Sequence, residues 1–486
     1  MILVRLRSAA AREWPILLLL ALFGVIYSST LTSYGMFMWD EAEYACMARS
    51  LVHGEGFAIS AVPKAERPPM LPLAGAAAML LTGQQFEDFV LRAVSVCFAL
   101  LALLCVYAFI AMMSNRTTGV IAAACLGMFP FFWIFVPYFM CEIPFMTFFA
   151  AAVWFFYLGA YRHQRFFVFS WISFALALLT RYTAVLFVPL AALFALLALW
   201  KGGPETRRRF RSRAFFLGPL AGLALVLPWL TRQYLTFGTP LAGLDWVSQQ
   251  LQVYMPGVSM PWSFYLRQIP AMVSPGIAVL LAAGVIWAFW ARDRFTLFNV
   301  LAAGLIYTWF SCYRYKEDRL VSSALPFMAA IVAVSLHAAT AKIRPRARYW
   351  VLGVILGAFL VLNYRTTQPI FEKAFTFGYP SFLDAMDHLR LAAAPGDVVL
   401  GANYPQINWY SGLRAIDFPA ESDLPAALKR ANWVVVTNFE RGQKPYVTEL
   451  ANRFISTHPQ SVEEFRDRQF ITVVIRADQL LPALAE

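Results

Sequence analysis

Three acidic stretches near the start of the chain could supply a general base. The first is Met38–Arg49, with the sequence MWDEAEYACMAR, in which Asp40 and Glu41 closely follow the first apolar run. A carboxylate placed beside a hydroxyl can take its proton as that hydroxyl attacks an electrophile. Because acids in the first turn of a helix are also stabilised by the helix dipole, a plain capping role for this pair remains open.

The second and third stretches carry acids beside prolines. Glu66 begins the sequence ERPP, and Glu142 is followed closely by Pro144. Adjacent prolines hold the backbone extended, so that they fix the directions of the acid and the base before them. An ordinary ion pair is the alternative for the first acid, and dipole stabilisation at a helix start is the alternative for Glu142.

A short cationic loop could bind an anion. The sequence YRYKEDR, at Tyr313–Arg319, places Arg314, Lys316 and Arg319 close together. Arg is the preferred residue for phosphate, because its guanidinium group can donate two parallel hydrogen bonds. The same loop contains two acids, so that internal ion pairing is the alternative interpretation.

The composition is that of a protein embedded in a membrane. Of 486 residues, 60% are hydrophobic and 14% are charged, against about 25% charged in an ordinary soluble domain. The net charge of +12 does not indicate nucleic acid, because most basic residues lie in short links between apolar runs. The six cysteines show no CxxC spacing, so that neither a disulfide framework nor a zinc site is predicted.

Eleven apolar runs predict membrane-spanning helices. They are Trp14–Tyr34, Phe89–Met113, Gly119–Pro137, Ile143–Tyr161, Phe166–Leu179, Tyr182–Trp200, Ala214–Thr231, Pro275–Ala291, Phe295–Cys312, Leu320–Thr340 and Tyr349–Tyr364. The first run is too long for the apolar core of a cleaved signal peptide, and we interpret it as a retained signal anchor. A twelfth run, Met70–Thr82, is shorter than the roughly 20 residues that spanning takes, which favours an interfacial helix.

The basic residues predict the side of the membrane on which each loop lies. With eleven spans, the basic links, including 207–213 and 342–348, lie on the cytoplasmic side with the N-terminus. A twelfth span would move every later basic cluster outside. The eleven-span topology places the acidic stretches, the cationic loop and the tail together on the extracytoplasmic face. We therefore predict a transmembrane catalytic domain at 1–365, with a first outer loop at 35–88, and an extracytoplasmic domain at 366–486.

The tail alternates helices with short β-rich runs. Strands are predicted at Val398–Gly401, Trp433–Thr437 and Phe470–Ile475, with helices at about Ser381–Leu391 and Leu424–Arg430. Such alternation is typical of a small α/β domain, and no GxGxxG follows the first strand to indicate a dinucleotide site. The predicted fold class is a polytopic α-helical membrane protein with about eleven spans, amphipathic helices in the first outer loop and a small C-terminal α/β domain.

The ordered set of motifs resembles the GT-C superfamily of polyprenyl-phosphate-sugar-dependent glycosyltransferases, in the branch of protein O-mannosyltransferases and lipid A aminoarabinose transferases. The residues that carry the resemblance are Asp40, Glu41, Tyr44, Ala48, Arg49, Glu66, Arg67, Pro68, Pro69, Glu142, Pro144, Arg319 and Pro326. The match covers roughly the first 340 residues. Two positions depart from the usual pattern, because Glu142 stands where the branch usually has Asp and Arg67 where it often has Lys.

The resemblance implies an inverting displacement, in which an acceptor hydroxyl attacks the anomeric carbon of a sugar phosphate. It implies that Asp40 is the base and that Glu41 and Glu142 orient the acceptor or a metal ion. The residues assigned to the substrate and its phosphate are Tyr44, Arg67, Arg314, Lys316 and Arg319. A divalent metal ion is the one cofactor considered, with Glu66 and Asp40 as its candidate ligands.

The expected partners are a polyprenyl-phosphate-linked sugar, an acceptor on a lipid, protein or glycan, and the bilayer, with no nucleic acid. The expected location is the plasma or inner membrane, with a cytoplasmic N-terminus and an extracytoplasmic active site. A transporter or lipid-linked-sugar flippase is the principal alternative. Transporters place ionisable residues near the membrane midplane, commonly within inverted repeats, whereas here the acids lie at the ends of apolar runs and no repeat is visible. A third interpretation is that the chain is a noncatalytic relative of these enzymes and binds partners through its tail.

Overall fold

The computed structural model describes residues 2–29, 31, 35–36, 38–83, 88–246, 259–376, 379–438, 444–468 and 470–483. The described chain is mostly helical, with a small sheet near the C-terminus, which confirms the predicted fold class. It divides into two compact units. The first unit contains Met1–Leu31, Ala65–Leu71 and Arg92–Phe371, and the second contains Thr32–Lys64, Pro72–Leu91 and Glu372–Glu486. The predicted division into domains 1–365 and 366–486 stays a prediction.

Sixteen α-helices precede the C-terminal portion in the described chain. They are Ile2–Ser28, Trp39–Val52, Met70–Thr82, Asp88–Met113, Arg116–Met128, Pro130–Phe135, Glu142–Tyr161, Phe166–Leu178, Phe187–Lys201, Pro204–Phe210, Arg213–Phe237, Phe264–Val273, Pro275–Ala291, Arg294–Ser311, Leu325–Ala339 and Pro345–Thr376. Two 3-10 turns, Tyr182–Leu186 and Asp318–Ala324, directly precede helices. Trp39–Val52, which carries the acidic pair, is called the acidic helix below.

Six helical segments of the described chain are long and apolar enough to cross a membrane. The number rises to seven if the bent pair Phe264–Val273 and Pro275–Ala291 is one span. Each of the eleven predicted runs overlaps a helix, but some of these helices, such as Arg116–Met128 and Phe166–Leu178, are shorter than a full span. Length and composition therefore support fewer full spans than the predicted number.

Two breaks in the apolar helices have local causes. Helix Arg116–Met128 ends before Pro130, which lacks an N–H and holds Phe129 extended at φ −64° and ψ 125°. The predicted separation of the runs Phe166–Leu179 and Tyr182–Trp200 is confirmed, because Arg181 between them is extended at φ −154° and ψ 130°. This second break places an arginine side chain at the junction of two helical segments.

The second unit contains a short hairpin and a five-stranded sheet. The hairpin pairs β1, Ala58–Ile59, with β2, Val62–Pro63. The sheet strands are β3 (Val398–Gly401), β4 (Arg414–Ile416), β5 (Trp433–Thr437), β6 (Val462–Arg466) and β7 (Ile471–Arg476), in the order β4-β3-β5-β7-β6. Strand β3 is parallel to β4 and β5, whereas β7 is antiparallel to β5 and β6.

Helices cover both faces of this sheet. They are Pro380–Ala392, Tyr404–Ser411, Leu424–Leu428, Pro445–Thr457 and Ala477–Ala483, with 3-10 turns at Glu421–Asp423 and Pro459–Ser461. Successive strand residues face opposite sides, so that Val399 packs with the first two helices and Leu400 with the last three. Because both faces are buried, the sequences of the central strands are continuous runs of apolar residues.

Candidate active site

The first unit surrounds the Glu142 carboxylate with two arginines. Glu142 begins helix Glu142–Tyr161 and is only 1% exposed. Its Oε1 lies 3.0 Å from Nη1 of Arg181 and 4.0 Å from Nη1 of Arg319. A buried carboxylate is costly unless it is paired and hydrogen-bonded. The extended backbone at Arg181 therefore matters at this site, because Arg181 provides the closer of the two guanidinium groups.

Arg319 links Glu142 to the acids of its own loop. Its Nε donates to Oε2 of Glu317, whose other carboxylate oxygen accepts from the Tyr315 hydroxyl at 3.0 Å. The Tyr265 hydroxyl donates to the Glu317 backbone carbonyl at 3.2 Å, which ties the loop to helix Phe264–Val273. Internal ion pairing, the alternative interpretation of this loop, is therefore present at Arg319, in addition to its contact with Glu142.

The other two loop cations lie in different environments. Lys316 is 3% exposed, and its Nζ donates to the backbone carbonyl of Met260 at 2.9 Å and to that of Tyr313. Arg314 is exposed, and its guanidinium has no partner among the described residues. Lys316 therefore connects the loop backbone at Tyr313 to the backbone at Met260, whereas Arg314 is exposed. The predicted phosphate-binding role of Arg314, Lys316 and Arg319 stays a prediction.

Hydrogen bonds between side chains and the Ala65 backbone anchor the ERPP segment. Glu66 is 8% exposed, and its Oε2 accepts from the Ala65 N–H at 3.0 Å. The Ala65 carbonyl accepts from the Tyr182 hydroxyl at 2.9 Å and from Nε2 of Gln233 at 3.2 Å. These contacts fix the segment against two helical elements of the first unit and leave Arg67 partly exposed.

The described residues do not form an evident metal site. No group of three or more His, Cys, Asp or Glu side chains within them is placed to hold a metal ion. At Glu142, guanidinium groups occupy the positions that a bound cation would take. The divalent metal ion considered at Glu66 and Asp40 stays a prediction, and no step below depends on one.

The acidic helix of the second unit holds its carboxylates in different ways. Glu41 is fully buried, and its Oε2 accepts from the Met38 N–H at 3.4 Å, which is the capping role left open by the sequence. Glu43 and Tyr44 are 3% and 2% exposed. Asp40 is partly exposed, whereas Glu41 and Glu43 are buried.

Glu43 is held by a tyrosine far along the chain. The Tyr404 hydroxyl donates to Oε1 of Glu43 at 3.1 Å, and Nζ of Lys64 donates to that hydroxyl at 2.8 Å. The Trp39 ring meets the Tyr404 ring edge-on at 5.0 Å. Sequence reasoning assigned no role to Glu43 or Tyr404. Little in the sequence indicates this contact, since the two residues are 361 positions apart.

Arg49, part of the Ala-Arg motif, is a structural anchor within the second unit. Its Nη1 donates to the Trp409 carbonyl at 3.0 Å and its Nη2 to the Asn408 carbonyl at 2.8 Å, while the guanidinium lies over the Trp409 ring. The carboxylate of Asp88 accepts from Nε1 of Trp409 at 2.8 Å and from the Tyr410 hydroxyl at 2.7 Å. These contacts fix helix Tyr404–Ser411 beside the acidic helix.

The predicted site residues thus fall into two sets. The first unit holds Glu66, Arg67, Glu142, Arg314, Lys316 and Arg319, and the second holds Asp40, Glu41 and Tyr44. Glu142 and Arg319 are brought together within the first unit. The convergence of all three acidic stretches on one membrane face stays a prediction, because it joins residues of different units.

Two kinds of comparison connect this chain to known proteins. The profile of one family, described as dolichyl-phosphate-mannose-protein mannosyltransferase, matches residues 66–231. That region includes Glu66, Arg67 and Glu142. No curated protein sequence matches the chain.

Solved structures match nearly the whole chain. ArnT from Cupriavidus metallidurans bound to undecaprenyl phosphate is 15% identical, with 95% of this chain and 98% of that chain covered and a TM-score of 0.70. Its apo form is 16% identical, with coverage of 97% and 99% and the same TM-score. An oligosaccharyltransferase of Archaeoglobus fulgidus is 14% identical, with coverage of 86% and 67% and a TM-score of 0.59.

At these identities the solved structures establish the fold. Together with the family profile, they support a membrane glycosyltransferase. The ordered sequence motifs resemble the GT-C superfamily of glycosyltransferases. The chain has the fold of the GT-C superfamily of membrane glycosyltransferases.

Proposed function

We propose that the chain is a glycosyltransferase that moves a single sugar from a polyprenyl-phosphate donor to an acceptor hydroxyl on the extracytoplasmic face of the membrane. The observation that carries the proposal is the likeness, over 95% of this chain, to ArnT bound to undecaprenyl phosphate. The family profile at 66–231 supports it, because its description names a dolichyl-phosphate-linked mannose donor.

The first unit would bind the donor phosphate. When the bond between the anomeric carbon and the phosphate oxygen breaks, the lipid phosphate leaves as an anion that needs cations rather than a general acid. Arg314 is exposed and Arg67 is partly exposed, and we assign both side chains to the phosphate. Arg181 and Arg319 already balance Glu142, and they add positive potential around that carboxylate.

The acidic helix would supply the base. In a single inverting displacement, the acceptor oxygen forms a bond to the anomeric carbon while its proton passes to a carboxylate. Glu41 caps its own helix and Glu43 is held by Tyr404. Asp40 is the partly exposed acid of that helix, and we assign it the proton.

The direct test is donor consumption by the purified full-length protein in detergent. The protein would be incubated with a panel of polyprenyl-phosphate monosaccharides and candidate acceptors, with and without a chelator, and release of free polyprenyl phosphate would be followed. We expect release with at least one donor, accompanied by the sugar appearing on an acceptor. No release from any donor with any acceptor would exclude the transferase function. Transfer of an intact donor across vesicles would instead indicate a flippase.

A further inference from the structure

Helix Tyr404–Ser411 contacts the acidic helix at regularly spaced positions. The Tyr404 hydroxyl meets Glu43, the Cys46 thiol donates to the Pro405 carbonyl at 3.2 Å, and Arg49 donates to two carbonyls near the end of the helix. Residues three apart lie on the same side of a helix. One side of the acidic helix is therefore bound along its length by a helix of the C-terminal portion.

The hydrogen bond from Tyr404 to Glu43 has a fixed direction. A lysine ammonium has three donors and no acceptor, so that Lys64 can only donate to the Tyr404 oxygen. The single phenolic proton is then directed to Glu43, whose carboxylate is 3% exposed. The Tyr404 hydroxyl is therefore hydrogen-bonded both to the Lys64 ammonium and to the buried Glu43 carboxylate.

The segment that carries Lys64 is itself fixed to the sheet. Ser60 and Ala61, the two hairpin residues between β1 and β2, have φ values of 52° and 62°. Residues other than glycine rarely adopt such positive φ values. Ser60 Oγ accepts from the N–H of Ala415 on the edge strand β4 at 3.0 Å. Surrounding contacts of this kind are what maintain a strained turn, and they hold Lys64 at its place beside Tyr404.

We propose that Tyr404 is a positioning residue for glycosyl transfer, through which the C-terminal α/β portion sets the rotation of the acidic helix. Asp40 and Glu43 are three positions apart on that helix, so that a rotation that moves Glu43 also moves Asp40. A displacement of about 1 Å at a reacting group can cost roughly 100-fold in rate. This inference rests on the proposed function, in which Asp40 takes the acceptor proton.

The test compares two substitutions that each remove one hydroxyl from the full-length protein. Tyr404→Phe keeps the ring against Trp39 and removes the hydrogen bonds to Glu43 and Lys64. Tyr446→Phe is the matched control, because its hydroxyl donates to the Pro419 carbonyl in the same C-terminal portion. We expect Tyr404→Phe to lower kcat roughly 10- to 100-fold, with KM for the donor unchanged and the pH profile of kcat shifted. The control should match the wild type.

A second readout does not depend on activity. Amide hydrogen exchange across residues 39–52 should accelerate in Tyr404→Phe and stay unchanged in Tyr446→Phe. Lys64→Met, which leaves Tyr404 intact, should change both readouts in the same direction but by less. If Tyr404→Phe folds poorly, this variant decides the question.

The outcomes separate the two proposals. A wild type that consumes no donor contradicts the proposed function, whereas the exchange measurement still tests how Tyr404 holds the acidic helix. Unchanged exchange over 39–52 in Tyr404→Phe overturns the inference, whatever the activity. Equal losses of kcat in Tyr404→Phe and Tyr446→Phe also overturn it, because they would reflect general destabilisation.

Discussion

The two units stabilise their buried acids by different means. In the first unit, Glu142 meets two guanidinium groups, and in the second, Glu43 accepts from a phenol while Glu41 accepts from backbone at its own helix start. Two guanidinium groups contact the Glu142 carboxylate directly, whereas Lys64 donates to the Tyr404 hydroxyl that in turn donates to Glu43. The first environment suits the binding of a phosphate, and the second suits the placement of a base.

Removing Arg181 is the largest expected change in the first unit. Among the described residues, Arg181→Met leaves the buried carboxylate of Glu142 with the 4.0 Å contact to Arg319 and a 3.9 Å contact from the Cys141 thiol. Breaking one partner of a buried ion pair costs about 3–5 kcal/mol, and the 15% exposure of the Arg181 side chain favours the lower end. The measurement is the free energy of unfolding in detergent.

A matched control uses a surface ion pair. Arg390→Met removes the partner of Asp387, where both side chains are more than half exposed, together with an exposed hydrogen bond to the Tyr410 carbonyl. It should change stability by less than about 1 kcal/mol. The double variant Arg181→Met with Glu142→Leu should recover much of the stability, because an apolar pair replaces the orphaned charge. An Arg181→Met loss as small as that of Arg390→Met would contradict the ion-pair account.

Alkaline pH tests the interface between the acidic helix and helix Tyr404–Ser411 in the second unit. Burial raises the pKa of the Cys46 thiol from 9.0 to about 12. Between these values the unfolded chain releases the proton while the folded chain keeps it, so that stability falls as pH rises. The contribution is complete below pH 9, and the slope above it reaches about 1.4 kcal/mol per pH unit.

Cys46→Ala should remove that part of the slope. The free energy of unfolding would be measured for both proteins from pH 7 to pH 11. We expect a constant difference between them up to about pH 9 and a change in the difference above it. A difference that stays constant over the whole range would show that the thiol is not buried as the structure has it.

Substitutions in the cationic loop should have the smallest effects on stability, but they distinguish a structural cation from one that binds phosphate. Lys316→Met removes the donor to the carbonyls of Met260 and Tyr313 and should cost about 1–3 kcal/mol of stability. Arg314→Ala changes an exposed side chain and should alter stability by less than about 0.5 kcal/mol. Binding of polyprenyl phosphate should weaken in Arg314→Ala and persist in Lys316→Met. The reverse pattern would assign the phosphate to Lys316.

Local patterns in the sequence predicted most of the fold. The apolar run Met70–Thr82 is a helix with the predicted bounds, and β3 and β5 also have the bounds that were predicted. Strand β6 was missed because its sequence, VEEFR, is charged and mostly exposed, and it forms by pairing with β7 at the sheet edge. Edge strands of this kind lack the apolar signal that buried strands carry.

The candidate site was less predictable than the fold. The charges at Glu142 and Arg319 could be identified from their positions at the ends of apolar runs, but their pairing through Arg181 depends on how separate helices pack. The same limit applies with more force to Tyr404, which is 361 residues from Glu43. Residue type and spacing predict local structure, and contacts between distant segments require the folded chain.

In the proposed reaction, the acidic helix takes the proton and the first unit binds the phosphate. The most direct test of this claim is the turnover of Asp40→Asn, with Asp387→Asn, at an exposed position of a C-terminal helix, as the control. We predict that Asp40→Asn lowers polyprenyl phosphate release by about 10²–10⁴-fold while binding of polyprenyl phosphate remains at the wild-type level. Turnover of Asp40→Asn close to that of the control would contradict the claim.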